Sequence, residues 1–344
     1  MIDTIKFYTM IDKQTYEKIY HNSILKTSYN QKDGEVYYEI VNDKLEGSYS
    51  SSLSVRVGTG MKYRFIDNYY IEIEGSFHKI MRGYNSHNGF YNLTEIVNYL
   101  IGAVEYSYKI KLPTLKHWFL QRVDIAICFD LSKNDKVRQY INNLGFCDYP
   151  RRDRKYYQNN GVFFSGTTTT LKIYNKLLEF KKHDMKKLYN SNFDIENYLK
   201  EIDGFIRFEC EIKKKKLQDI YNSKHIRVRN VSYKDLKNVW SDEFMKLLKF
   251  FESDLTIVKN KEDIENRIYT VFADNVNKSN ILYNFYISIM VDGLKNVKDR
   301  TSKTTYYRNI KLLKELNIDF SQRYKLTLEN DSIDFNPFEW KEVS

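Results

Sequence analysis

The sequence predicts an α+β fold, in which a mainly antiparallel sheet with flanking helices is followed by a helical, helix-turn-helix-like C-terminal domain. Three observations lead there. β-rich segments with alternating apolar residues recur through the first two-thirds of the chain, helical segments fall between them without a regular βαβ repeat, and helical patterns dominate from about residue 235 onward. The expected division is a sheet domain over 1–235 and a helical domain over 236–344, and 344 residues are enough for two cores.

The expected strands are "YYIEIEG" (69–75), "RVDIAICFDL" (122–131), "GVFFSG" (161–166), "TLKIYNK" (170–176) and "GFIRFECEI" (204–212). Side chains alternate between the two faces of a strand. In the second segment Val123, Ile125, Ile127 and Phe129 share one face, and Asp124, Ala126, Cys128 and Asp130 the other. In the last, Ile206, Phe208, Cys210 and Ile212 oppose Phe205, Arg207, Glu209, Glu211 and Lys213. In the fourth, Lys172, Tyr174 and Lys176 alternate with Leu171, Ile173 and Asn175, which sets a phenol between two ammonium groups on the face opposite the apolar one. Helical periodicity covers 92–110, with Asn92 or Thr94 as the cap, and 235–253. Near the C-terminus a helix runs through Met290, a turn contains Gly293, and Ser302 caps a second helix carrying Tyr306, Tyr307, Arg308 and Lys311. A helix-turn-helix would present that basic helix to DNA, and an ordinary helical hairpin is the alternative.

The charge is unevenly spread. There are 55 Lys+Arg against 45 Asp+Glu, a formal charge of +10, and 30 tyrosines. Residues 151–190 hold ten Lys/Arg and three acids, 211–229 hold seven and two, and the tail 329–342 reverses this with five acids and one lysine. A basic region with interleaved aromatics suits phosphate neutralisation and base stacking on nucleic acid; a solvated charged face is the plain alternative. The segment "RRDRKYY" places Arg151, Arg152 and Arg154 as phosphate contacts beside Tyr156 and Tyr157. Other classes are poorly supported. No apolar stretch is long enough to span a bilayer, and the N-terminus lacks the layout of a signal peptide. Cys128, Cys147 and Cys210 are too widely spaced to suggest a disulfide framework or a zinc site. Cytoplasmic residence is therefore expected.

If the three functional-looking strand faces are neighbours in one sheet, Asp124, Glu209 and Glu211 lie close to Tyr174. Clustered carboxylates repel unless a cation neutralises them, and hard oxygen ligands suit Mg²⁺ or Mn²⁺. The alternative is a solvated face on which lysines and glutamates form cross-strand pairs. There is no phosphate-binding Walker loop, no G-x-S-x-G elbow and no H-E-x-x-H pair, and the six histidines are dispersed.

Four segments in order resemble the replication initiators of the filamentous-phage gene II and gene X type, also found on plasmids, and more distantly the Rep_trans plasmid initiators. They are "IEIEGSFHKIMRGYN" (71–85), "RVDIAICFDL", "GTTTTLKIYNKLLEF" with "FIRFECEIKKKKL", and "TSKTTYYRNIKLLKELNIDF". Where that family usually has a serine-proline and later a Gly-His-Asn, this chain has Ser76-Phe77 and Gly83-Tyr84-Asn85. The resemblance implies a nickase that attacks one strand of a supercoiled origin with a tyrosine, leaving a 5′-phosphotyrosyl intermediate and a free 3′-OH, with later religation. It maps the family's Tyr-x-Lys onto Tyr174-Asn175-Lys176, its Arg-Phe-Glu onto Arg207-Phe208-Glu209, and its strand aspartate onto Asp124. On this reading Tyr174 is the nucleophile and Lys176 assists it. Tyr156 and Tyr157 are the fallback candidates for the nucleophile. Asp124, Glu209 and Glu211 hold Mg²⁺ or Mn²⁺; Lys172, Arg151, Arg152, Arg154, Arg207, Arg308 and Lys311 bind DNA. The implied partners are origin DNA, single-stranded and supercoiled duplex, with the host helicase and polymerase. A non-catalytic DNA-binding replication modulator or repressor on the same fold, or a mobilisation relaxase, are the alternatives.

Overall fold

The computed structural model describes residues 1–22, 24–29, 36–46, 52–59, 69–145, 147, 149–157, 160–189, 191–254, 261–273, 275–316, 318, 320, 340 and 342–343. The strands are β1 (Ile2–Ile11), β2 (Ile24–Tyr29), β3 (Val36–Glu46), β4 (Ser52–Thr59), β5 (Tyr69–Ser76), β6 (Phe119–Asp130), β7 (Asp153–Tyr157), β8 (Gly161–Ser165), β9 (Thr169–Asn175), β10 (Phe205–Lys213), β11 (Ile226–Arg227) and β12 (Glu342–Val343). The helices are α1 (Lys13–His21), α2 (Phe77–Arg82), α3 (Leu93–Tyr108), α4 (Asn134–Leu144), α5 (Lys176–His183), α6 (Met185–Leu188), α7 (Ile195–Glu201), α8 (Lys214–Tyr221), α9 (Tyr233–Asp254), α10 (Lys261–Val271), α11 (Val276–Asp292), α12 (Leu294–Arg300) and α13 (Lys303–Glu315).

One open sheet organises the first two-thirds. Its strand order is β2-β3-β4-β5-β1-β6-β10-β9-β8-β7, with β11 and β12 both pairing β6. The pairings are antiparallel, which agrees with the expected class. The strands alternate as their sequences require. Val55, Ile71, Ile73, Ile5, Phe7, Val123, Ile125, Ile206, Phe208, Leu171, Ile173, Val162 and Phe164 enter a single buried core, completed by residues of α3, α4, α8 and α9. The side chains between them are left on the opposite face. Part of that face is roofed by α5–α7, where Leu177, Phe180, Leu188, Tyr198 and Ile202 pack with Phe205.

The expected strands and helices at 69–75, 92–110, 122–131, 161–166, 170–176, 204–212 and 235–253 all correspond to elements of the fold. Asn92 caps α3, its side chain accepting from the backbone N–H of Thr94 and Glu95. Ser302 caps α13, accepting from Thr305 N–H at 3.3 Å. Between Gly293 and Ser302 the chain forms the additional short helix α12, so the expected two-helix unit has three helices. Helices α10–α13 close a second core around Ile264, Ile268, Leu282, Tyr286, Ile289 and Leu313. The cut expected between 235 and 236 falls inside α9, whose Leu236, Val239, Trp240, Phe244, Leu247 and Leu248 belong to the first core. Of the acidic tail, residues 329–339 lie outside the described residues, and Glu342 pairs with Lys237 at 3.2 Å.

Trp240 joins α9 to the sheet: it is 2% exposed, and its indole N–H donates to the Phe208 carbonyl at 3.1 Å. Trp240→Ala removes a large buried ring and leaves that carbonyl without its indole donor. It should lower unfolding stability by about 3–5 kcal/mol in urea denaturation. A loss below about 1 kcal/mol would mean that α9 is not part of this core.

Candidate active site

The register of the sheet brings the singled-out side chains together. Tyr174 of β9 lies opposite Arg207 of β10 and Gly161 of β8; Lys172 lies opposite Glu209 and Phe163; Glu211 lies opposite Asp124 of β6. All of these project from the face away from the main core, because Leu171, Ile173, Ile125, Phe208 and Cys210 take the other. Asp124, Glu209 and Tyr174 therefore converge across three adjacent strands.

What neutralises the carboxylates is Lys172. Its ammonium is 2.8 Å from Glu209, 3.4 Å from Glu211 and 3.6 Å from Asp124. Arg122 supplies the second cation, donating from Nε and Nη2 to Asp124 at 2.8 and 2.6 Å and lying 3.3 Å from Glu211. The pairing continues along the sheet. Arg122 meets Glu74 at 3.1 Å, Lys6 meets Glu74 and Glu72 at 3.1 and 2.9 Å, and Arg56 meets Glu72 at 3.2 Å. Burial raises the Asp124 carboxyl against the pull of Arg122 and Lys172. At Glu209 burial also pushes upward, but Lys172 outweighs it and the carboxyl sits lower than usual.

Three carboxylates are the right donors for Mg²⁺ or Mn²⁺. As arranged, however, the ammonium of Lys172 occupies the place a shared ion would take. Among the described residues no group of three or more His, Cys, Asp or Glu could hold a metal ion. The set does not fit a divalent cation beside Lys172, and the cross-strand lysine–glutamate pairing describes it better.

Tyr174 sits at the floor of a cavity of about 520 Å³, 8% exposed. Its hydroxyl donates to Glu209 Oε2 at 2.9 Å and accepts from the Asn85 side-chain amide at 3.5 Å. The two flanking ammonium groups do not act on it as the strand pattern suggested. The strand ends at Asn175, whose side chain caps α5 by accepting from Leu178 N–H at 3.1 Å. Lys176 is thus the first helical residue, fully buried, with its ammonium 2.7 Å from Glu179. Lys172 is committed to the carboxylates. Burial accordingly raises the Tyr174 phenol well above an ordinary tyrosine, and the nearby Arg207 guanidinium only partly opposes this.

Arg207 was expected to contact DNA, but it is fully buried: its guanidinium is 3.0 Å from Asp3 and donates to the Ser86 carbonyl at 2.9 Å. It orders the floor of the site beside Tyr174, which lies opposite it on β9. Arg152 is also occupied internally. It donates to the Phe164 and Thr169 carbonyls at 3.3 and 3.0 Å, pairs with Glu243 of α9, and lies over the Tyr149 ring at 4.5 Å. Arg151 and Arg154 are exposed, Arg154 while also donating to the Cys147 carbonyl at 2.8 Å. Arg308 and Lys311 are exposed on α13, where Lys311 lies 3.7 Å from Glu315.

The two fallback tyrosines part company. Tyr156 turns to the core side and donates its hydroxyl to Asn142 of α4, whereas Tyr157 lines the cavity. Sequence reasoning missed Asp3, Asn85, Lys79 and Arg122. Ser76 donates to Asp3 at 2.8 Å, and Asn85 N–H donates to the buried Asp184 at 3.0 Å. Gly83, at φ 80°, ends α2 in the left-handed conformation and starts the loop that carries Asn85 inward. For Lys79 and Asn85 a signal was present, since both fall within the family-like segment 71–85, and Arg122 opens the segment 122–131; Asp3 had none.

A raised phenol has a direct signature. Tyrosine-¹³Cζ NMR of the wild type against Tyr174→Phe should assign a resonance that stays protonated at about pH 10.5, where an unperturbed tyrosine is mostly ionised. Ionisation of Tyr174 at or below pH 10 would contradict the buried, Glu209-bonded phenol.

No curated protein matches the chain. Among the described residues no helix is long and apolar enough to cross a membrane. The family model for the N-terminal part of the phage gene II replication-associated protein matches residues 1–236, which carry the whole sheet apart from β12 and every residue lining the cavity. On that match the chain belongs to the family of filamentous-phage gene II replication-associated proteins.

Proposed function

We propose that this protein starts rolling-circle replication by nicking one strand of origin DNA with Tyr174. The observation that carries the reading is the Tyr174 hydroxyl hydrogen-bonded to Glu209 at 2.9 Å on the floor of an open cavity, within the segment that matches the family. A protonated phenol is a weak nucleophile and needs a base within hydrogen-bond reach. Glu209 has that position, so its role is proton acceptor, distinct from the metal ligand that the sequence suggested.

In the proposed step the phenolic oxygen attacks the scissile phosphorus while its proton passes to Glu209 Oε2. The bond from phosphorus to the 3′ oxygen breaks, and that oxygen takes a proton from solvent at the cavity mouth. The products are a 5′-phosphotyrosyl enzyme and a free 3′-OH; the reverse attack by a 3′-OH religates the strand. Lys172 and Arg122 hold the neighbouring carboxylates, so negative charge does not spread to the phosphate. Exposed Lys182 and His183 at the cavity wall can face the phosphodiester, and Arg308 and Lys311 on α13 suit a duplex contact.

Two measurements test this. With a single-stranded origin oligonucleotide, the wild type should give a covalent protein–DNA band on a denaturing gel and Tyr174→Phe none, with oligonucleotide affinity near normal. An adduct in Tyr174→Phe would move the nucleophile elsewhere, and no adduct with the wild type would leave a DNA-binding replication modulator. Glu209→Gln should keep affinity while slowing cleavage by about 10²–10⁴-fold, the usual worth of a positioned base; wild-type cleavage by this variant would remove Glu209 from the step.

For the C-terminal helix, Arg308→Ala with Lys311→Ala should weaken duplex-origin binding and shallow its salt dependence by roughly two phosphate contacts. An unchanged salt slope would take α13 out of the interface.

A further inference from the structure

Three residues of the sheet edge remain unused by the nicking step. Tyr157 of β7 lies opposite Gly161 of β8, and Gly161 lies opposite Tyr174 of β9, so the three form one row across the site face. The next row holds Lys155, Phe163 and Lys172. Neighbouring strands lie about 4.8 Å apart, so the Tyr157 and Tyr174 backbones stand roughly 10 Å apart with bare backbone between them.

That bare position is tightly required. A Cβ on Gly161 would come within 2.8 Å of both the Ile173 carbonyl oxygen and Tyr174 Cβ. The glycine lets β8 approach β9 closely, and its backbone lines the cavity beside the phenol. The outer wall of the cavity is aromatic. Tyr157 and Phe163 meet with ring centroids 5.1 Å apart, and Tyr157 is 46% exposed although it belongs to a cavity wall. Across the cavity stand Leu178, Lys182 and His183 of α5. An exposed tyrosine ring packed on a half-buried phenylalanine, with Lys182 lining the same cavity, matches what a single-stranded nucleic acid needs: a ring face for the base and positive charge for the backbone. A cavity of about 520 Å³ lies within the range of small-ligand sites and is large enough for one nucleobase.

We propose that Tyr157, Gly161 and Phe163 form a subsite that stacks one unpaired nucleobase of the DNA strand, adjacent to the phosphate attacked by Tyr174. The subsite deepens the nicking reading and rests on it. It gives Tyr157 a binding role, by its ring, in place of a nucleophilic one. It also accounts for the exposed position of that ring, because in the complex the base covers it.

The test is binding of the full chain to a short single-stranded oligothymidylate, followed by fluorescence anisotropy, with far-ultraviolet circular dichroism to check each variant's fold. Tyr157→Leu and Phe163→Leu should each raise the Kd by about tenfold, while Tyr157→Phe stays within about twofold of wild type, because stacking uses the ring face. An oligomer of abasic sugar-phosphate units should bind wild type and Tyr157→Leu alike. If the wild type binds oligothymidylate and both leucine variants bind as tightly, the subsite is wrong and the nicking reading stands. If Tyr157→Phe loses as much as Tyr157→Leu, the hydroxyl matters and stacking is overturned. If the wild type does not bind oligothymidylate at all, the subsite is wrong, and the nicking reading stands or falls by the adduct assay on origin DNA.

Discussion

The arrangement of the site depends on one ammonium group shared by three carboxylates. Lys172 on β9 reaches Glu209 and Glu211 of β10 and Asp124 of β6, and without it three negative charges would face one another at the centre of a sheet. Buried ions cost several kcal/mol each unless paired with good geometry. Here each acid is paired twice or more, and the pairing runs on through Arg122 and Lys6 to β5 and β4. The sheet therefore carries an apolar face that holds it to its helices and a charged face whose acids and bases are paired with one another.

That pairing shapes the chemistry. Because Lys172 serves the carboxylates and Lys176 serves Glu179, neither ammonium lowers the phenol of Tyr174. The tyrosine rests protonated, and Glu209 is the group placed to take its proton. Arg207 and Asn85 fix the floor around it, one from the neighbouring strand and the other from the loop after α2. On the proposed nicking reading, a tyrosine that rests protonated and mostly buried suits a protein that must act at one origin and otherwise leave DNA intact. The base-stacking edge at Tyr157 and Phe163 would bring the strand to the phenol only where it is unpaired.

Much of this was legible in the sequence, and the failures have physical reasons. Strand alternation put Asp124, Glu209, Lys172 and Tyr174 on one face, because a period of two permits nothing else once Leu171, Ile125 and Phe208 are buried. The same alternation misled at Lys176: Asn175 caps a helix there, and the period changes from strand to helix within one residue. Arg152 read as a phosphate contact from the basic segment and Arg207 from the family resemblance, and neither signal shows that Glu243 and Asp3 hold them inside. The central place of β1 between β5 and β6 depends on long-range pairing that no local pattern states, and with it went the contribution of Asp3. The sequence reading counted the carboxylates of this face as metal donors and assigned the lysine among them to DNA; in the structure that lysine pairs with all three.

The most direct test of the shared-ammonium claim is a double-mutant cycle in unfolding free energy on Lys172→Met and Glu209→Gln. Lys172→Met alone takes a cation from three carboxylates and leaves Glu209 only Arg207 at 3.9 Å, and should cost about 3–5 kcal/mol. Removing the Glu209 charge as well should recover part of that loss, giving a coupling energy of about 1–3 kcal/mol. Additive effects of the two substitutions would contradict the claim that Lys172 is the cation on which this face depends.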